Sequence, residues 1–171
     1  MTRPHKASPQ QSSTISAHPE RELKLSIDDN FRLPQLPGTP SVRRLLISTY
    51  YDTAAYDLAH ARITLRHRIE RGKKTWQLKI PLNHDRQEVE APVEQADPPA
   101  SLRRLLVLHL RHRKLAPVVT LRVWRTSLLI RHSQVPLAEI ALDSVSVVQS
   151  GITIQRFREL EIELRQGDDE A

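Results

Sequence analysis

The sequence contains no cysteine. Disulfides, thiolate metal sites and a cysteine nucleophile are therefore excluded, and a reducing compartment is the natural setting. Aromatic residues make up only 4% and apolar residues 39% of the 171 positions, enough for one domain but with many polar side chains to place. No apolar run approaches the length that spans a bilayer, and the N-terminus lacks the apolar stretch of a secretory signal, so a cytoplasmic protein is expected. There is no Gly-x-x-x-x-Gly-Lys loop, which excludes a P-loop nucleotide site, and no Gly-x-Ser-x-Gly elbow to support a serine triad. The eight histidines form no zinc pattern; His109 and His112 are three apart without acidic neighbours and are expected to face solvent.

Charge is plentiful. Lys and Arg number 26 against 20 Asp and Glu, a formal net charge of +6. Such a balance welcomes an anion: nucleic acid, acidic lipid or a phosphorylated small molecule. The two signs are interleaved along strand-like stretches and are not gathered into a basic tail. In "ERELKL" a strand places Glu20, Glu22 and Lys24 on one face, and in "ELEIEL" it aligns Glu159, Glu161 and Glu163.

Residues 1–18, rich in Ser, Pro and Gln, read as a disordered tail, with structure expected from Pro19 to residue 166 and an acidic tail at 167–171. After a first strand and a Pro-rich loop, Thr39-Pro40 predicts a cap and a short helix over "SVRRLL", running into the strand "ISTYYDT". Ile63, Leu65 and Ile69 alternate with Thr64, Arg66, Arg68 and Glu70; "ERGKK" is a hairpin turn, and "TWQLKI" returns from it. "RQEVEAPV" repeats the alternation with Glu88 and Glu90. One long helix is predicted over "SLRRLLVLHLRHRK", followed by three strand-like stretches. Tyr50, Tyr51 and Trp76 are expected to pack. The sum is an α+β chain of seven or eight antiparallel strands and two helices.

Two arrangements accommodate the charged faces. An open sheet would simply wet them. Yet residues i and i+2 lie roughly 6.5 to 7 Å apart on a strand, so the last strand's glutamates form a ladder of like charge, which is unfavourable on a sheet face. Other strands carry the opposite sign, in Arg66, Arg68, Lys79 and Arg122. A sheet curled into a barrel with charged faces inward would bring acids and bases together around a solvent-filled hole. That lining suits a phosphate chain with a divalent cation: carboxylates without thiolates favour Mg²⁺ or Mn²⁺, and Arg and Lys neutralise phosphate oxygens.

The ordered set of motifs resembles the CYTH superfamily, the triphosphate tunnel metalloenzymes. "ERELKL" has its Glu-x-Glu-x-Lys opening; "YYDT", "ITLRHR", "WQLK", "RQEVE", "RVWRT", "EIALD" and "ELEIEL" follow in the family's order over residues 19–165. The resemblance implies an antiparallel eight-stranded β-barrel, a tunnel in which a triphosphate is hydrolysed with metal. Carried over, Glu20 and Glu22 resemble metal ligands, as do Glu161 and Glu163 with Glu159, while Lys24, Arg66, Arg68 and Lys79 resemble phosphate ligands. Lys24, Glu161 and Glu163 are the expected catalytic set. Glu88, Glu90, Glu139 and Asp143 match further tunnel acids, and Arg122 and Arg125 further bases. These last two have opposite strand parity, so a regular strand turns only one inward. The resemblance implies a triphosphate or polyphosphate substrate for a monomer or homodimer, with no nucleic-acid or membrane partner. Adenylate cyclase, thiamine-triphosphatase and a non-catalytic polyphosphate-binding module are the alternatives on the same scaffold. Many members plug the tunnel with a C-terminal helix; here, with "RQGDDEA" at the end, one mouth is expected to be open.

Overall fold

A computed structural model of the chain describes residues 16–82, 85–93 and 97–165. The elements in chain order are β1 (Ser16–Glu20), β2 (Glu22–Ile27), β3 (Thr39–Pro40), β4 (Arg44–Asp52), α1 (Asp57–His60), β5 (Thr64–Glu70), β6 (Lys73–Leu82), β7 (Asp85–Pro92), α2 (Ala100–Leu105), α3 (Val107–Leu110), β8 (Ala116–His132), β9 (Val135–Gln149) and β10 (Ile152–Leu164). Of the expected tails at 1–18 and 167–171, residues 1–15 and 167–171 lie outside the described residues, as does residue 166. Ser16 to His18, expected in the tail, already belong to β1 and pair with β7.

All strands are antiparallel, in the order β1-β7-β6-β5-β4-β8-β9-β10-β2, with β3 beside β8. The two ends of that order are one stretch of chain interrupted only at Arg21. Glu20 pairs with Arg86 on one edge, and Glu22 pairs with Glu163 on the other. A sheet whose opposite edges take successive halves of the same segment must curl on itself. With β1 and β2 taken as one stave and the two-residue β3 set aside, eight staves wall the barrel, as the sequence predicts.

Local chemistry sets the register. The Arg71-Gly72 turn between β5 and β6 has φ values of 48° and 79°, both left-handed, which is the two-residue hairpin geometry that matches strand twist. Ser133-Gln134 and Ser150-Gly151 make the same turn for the two following hairpins. Once the turns are fixed, the period of two decides every face.

On the outer face Leu65, Trp76, Leu78, Val89 and Ala91 of β5–β7 are buried against Leu58 of α1 and Leu102, Leu106 and Leu110 of α2 and α3. Tyr51 meets Trp76 edge-on, with ring centroids 4.9 Å apart. The loop between β2 and β3 must cross β10 and β9 to reach β8. Arg158 pins its start, donating to the carbonyls of Asp28 and Asp29, both at 2.8 Å. Gly38 seats its end, where an added Cβ would come within 2.8 Å of Leu128 Cγ.

Three expectations change. "SVRRLL" is not helical: its second half opens β4, since six residues cannot nucleate a helix against a strand that offers pairing along its whole length. The long helix is broken at Leu106, where φ −99° and ψ −2° separate two short helices. Finally, the interior is not charged throughout: Leu46, Val123 and Val145, with Leu121 and Phe157, share the inward parity and fill part of the bore with an apolar cluster.

Candidate functional site

Beside that cluster lies a cavity of about 230 Å³. Strands β5 and β6 give it Arg66, Arg68, Glu70, Gln77 and Lys79, and β7 gives Glu88 and Glu90. The facing wall supplies Glu22 from β2, Arg44 and Leu46 from β4, Arg125 from β8, and Glu161, Glu163 and Arg165 from β10 and its end. Among the described residues, six carboxylates thus face six cations in this lining.

The two arginines of β5 are held by polar neighbours within the wall. Arg66 Nε donates to Gln77 Oε1 at 2.7 Å, and the Gln77 amide donates in turn to Glu90. Arg66 Nη1 donates to the Tyr50 hydroxyl at 3.2 Å, and Arg68 Nε to Ser48 Oγ at 3.3 Å. Glu88 lies 3.8 Å from Arg66 and 4.0 Å from Lys79, at the long end of ion pairing. Burial, then the neighbouring charge of Arg66, lowers the Arg68 guanidinium to about 10. It stays protonated at neutral pH, but at a cost that an arriving anion would relieve. Burial pushes the Tyr50 phenol up, yet the charge and hydrogen bond of Arg66, with Arg68 and Lys24, outweigh it and hold the group below its usual value.

Glu161, Asp143, Glu159, Glu139 and Glu163 on the opposite side are each met by a base. Arg125 grips Asp143 in a bidentate pair at 2.8 and 2.6 Å and also reaches Glu161. Lys24 contacts Glu161 and stands 3.9 Å from Glu159. Toward one end Arg44 lies 2.9 Å from both Glu70 and Glu139, while Arg165 joins Glu139 to Glu163, the latter at 3.2 Å. Burial raises Glu139, but hydrogen bonds from Ser127, Arg165 and Arg44 win and hold its carboxyl at about 2.

Of the residues singled out in the sequence, Glu22, Arg66, Arg68, Lys79, Glu88, Glu90, Arg125, Glu161 and Glu163 line the cavity. Lys24, Glu139, Asp143 and Glu159 share the inward face and join the ion pairs around it. Glu20 keeps its place at the end of β1, but its side chain lies outside the described residues. Arg122 is a correction: it pairs with Ile47, opposite in parity to Arg125, and points outward into solvent. Tyr50 is a second correction, since it hydrogen-bonds Arg66 inside the barrel and does not pack with Tyr51 and Trp76. Arg44, Glu70 and Arg165 were missed. Arg44 was hidden by the expected helix; Arg165 was legible, two residues beyond Glu163 on the same face.

The donors present are oxygens only, the set preferred by hard cations. Among the described residues no three acidic or histidine side chains converge as a ready-made metal site. An ion such as Mg²⁺ commonly takes one or two carboxylates and completes its shell with substrate phosphates and water. A larger cleft of about 700 Å³ lies outside the barrel against α2 and α3, and among the described residues Asp97 is the one carboxylate that lines it.

The CYTH domain profile matches residues 18–171. Uncharacterised proteins from two strains of Mycobacterium tuberculosis are 30% identical over 169 residues, covering 86% of this chain and 33% of theirs. The chain therefore spans about a third of the length of the curated relatives it matches. Among solved structures, a Bacillus halodurans protein with a provisional adenylate cyclase name superposes with a TM-score of 0.60 at 18% identity, over 86% of this chain and 81% of that one. A Pyrococcus horikoshii OT3 protein superposes with a TM-score of 0.53 at 17% identity, over 88% and 80%. At such identities the likeness concerns the fold. With the profile match across nearly the whole chain, it follows that this protein belongs to the CYTH domain family.

Proposed function

We propose that the protein is a metal-dependent triphosphatase acting on inorganic triphosphate or a related linear triphosphate within the barrel. One observation carries this reading: the six carboxylates and six cations that converge on a cavity of about 230 Å³. Binding alone would need few of those acids, and a nucleic-acid backbone would be repelled by them.

Arg66, Arg68, Lys79 and Lys24 hold the phosphate chain and spread its charge; the two arginines can do so in bidentate fashion. Gln77 and Tyr50 fix the Arg66 guanidinium in plane and so set the position of the phosphate it meets. Mg²⁺ or Mn²⁺, held by Glu20 and Glu22 and, for a second ion, by Glu161 and Glu163 with Glu159, would supply Lewis-acid polarisation of the phosphate oxygens. Substrate entry exchanges partners. Lys24 leaves Glu161 for phosphate while Arg125 still holds that carboxylate, and Glu161 and Glu163 then orient the attacking water. Positioning and charge neutralisation are sufficient for a loose phosphoryl transfer, and no covalent intermediate is needed.

Incubation with triphosphate and Mg²⁺ or Mn²⁺ should release phosphate from the wild type and not from Glu22→Ala. No release by the wild type, or equal release by the variant, would refute the proposal. A second reading, a nucleoside triphosphate substrate, is favoured by a cleft of about 350 Å³ that includes Tyr50, Tyr51, Tyr56, Arg62 and Arg86 and adjoins the tunnel through Tyr50. Product analysis with ATP separates hydrolysis from cyclisation.

A further inference from the structure

The tunnel does not account for the charge of the chain. Among the described residues its lining is balanced, six against six, while the whole chain carries +6. One run of this excess lies in residues 97–115, where the sequence sets Arg103, Arg104, Arg111, Arg113 and Lys114 against Asp97. Asp57 of α1 takes one of these cations, lying 2.7 and 2.8 Å from Arg113 through its two oxygens. Arg103, Arg104, Arg111 and Lys114 are exposed and make no ion pair among the described residues.

Apolar side chains project from the midst of these cations. Leu105, Val107 and Leu108 are 49%, 59% and 81% exposed, although Leu102, Leu106 and Leu110 of the same helices are buried in the core. Leu105, Val107 and Leu108 flank the break at Leu106, within four consecutive positions of the chain. The buried leucines hold the helices fast, so this surface is presented rigidly by the barrel.

We propose that the α2–α3 surface docks on an anionic phospholipid bilayer. Leu105, Val107 and Leu108 enter the boundary between headgroups and acyl chains, and Arg103, Arg104, Arg111 and Lys114 meet the lipid phosphates. A dissolved polyanion would answer the four cations and leave the three apolar side chains in water; an anionic membrane answers both. No helix in the described residues is long and apolar enough to cross a membrane, so attachment is peripheral. This departs from the expectation of no membrane partner, because the sequence alone did not show that the tunnel charges cancel.

The test is flotation of the full chain with vesicles of phosphatidylcholine, alone or mixed with phosphatidylserine. The protein should float with the mixed vesicles only and release as salt is raised to about 0.5 M, where surface charge is screened. Arg103→Gln/Arg104→Gln should weaken binding on the order of twentyfold, and Leu108→Gln about tenfold, with thermal unfolding and triphosphate hydrolysis unchanged. Absence of flotation with the mixed vesicles, or unaltered binding by Leu108→Gln, would overturn the proposal. So would tight retention of RNA or long-chain polyphosphate without vesicle binding, or a dimer that Leu108→Gln dissociates without vesicle binding.

Discussion

Replacing Asp143 with alanine isolates the clasp that holds the acidic wall in place. The Asp143 side chain is 3% exposed and that of Arg125 13%, and the two share a bidentate pair at 2.8 and 2.6 Å. Breaking a buried pair by removing one partner costs about 3–5 kcal/mol, because the remaining charge is left without compensation. Here Arg125 keeps Glu161, so about 2–3 kcal/mol is the expected loss. For a chain of this size that lowers Tm by roughly 5–10 °C. Thermal unfolding followed by circular dichroism reads the shift. The double variant Asp143→Leu/Arg125→Met distinguishes the causes: with both charges gone it should be more stable than Asp143→Ala, since the penalty comes from the orphaned cation. If Asp143→Ala melts with the wild type, or the double variant loses the sum of its two single changes, the clasp is not what holds this wall.

Glu139 should govern part of the acid limb of stability. Its folded pKa of about 2 lies below the ordinary 4.5, so its contribution is fully present above pH 4.5 and disappears as pH falls through 2. Urea unfolding across that window should show a decline on the order of 2–3 kcal/mol in the wild type that is flattened in Glu139→Gln. For hydrolysis, Arg66→Ala should lower kcat/KM by at least about a hundredfold through loss of a charge-assisted phosphate contact. Arg122→Ala, on the outer face, should leave the rate within about twofold.

Legibility in the sequence tracked how local the determining physics was. Strands with strict alternation, such as Arg66-His67-Arg68 and Glu159 to Glu163, showed both their conformation and the residues that would share a face. The Arg71-Gly72 turn announced its hairpin because left-handed backbone at that site favours glycine. Arg44 was lost because propensity near Thr39-Pro40 favours a helix, whereas a 17-residue β8 supplies the hydrogen bonds that make it strand. The break at Leu106 had no signal, as leucine is a good helix former and only packing under the barrel explains it. The apolar filling by Leu46, Val123 and Val145 escaped notice because each lies on a strand read for its charges. Which inward acids a base would clasp depends on pairings across more than a hundred residues in the case of Lys24 and Glu161, and no period reveals those.

The stretch through Arg21 that joins the two edges also shapes how the protein comes into being on the ribosome. Ala17 can meet Val89 once β7 is made, but Lys24 waits for Glu161, so the second half of the first stave cannot settle until β10 has emerged. Until then β2 shows an open row of backbone donors and acceptors, the template on which chains stick to one another. Assembly of this fold is therefore slow and dependent on distant contacts, and its most vulnerable moment is just before the seam is sewn.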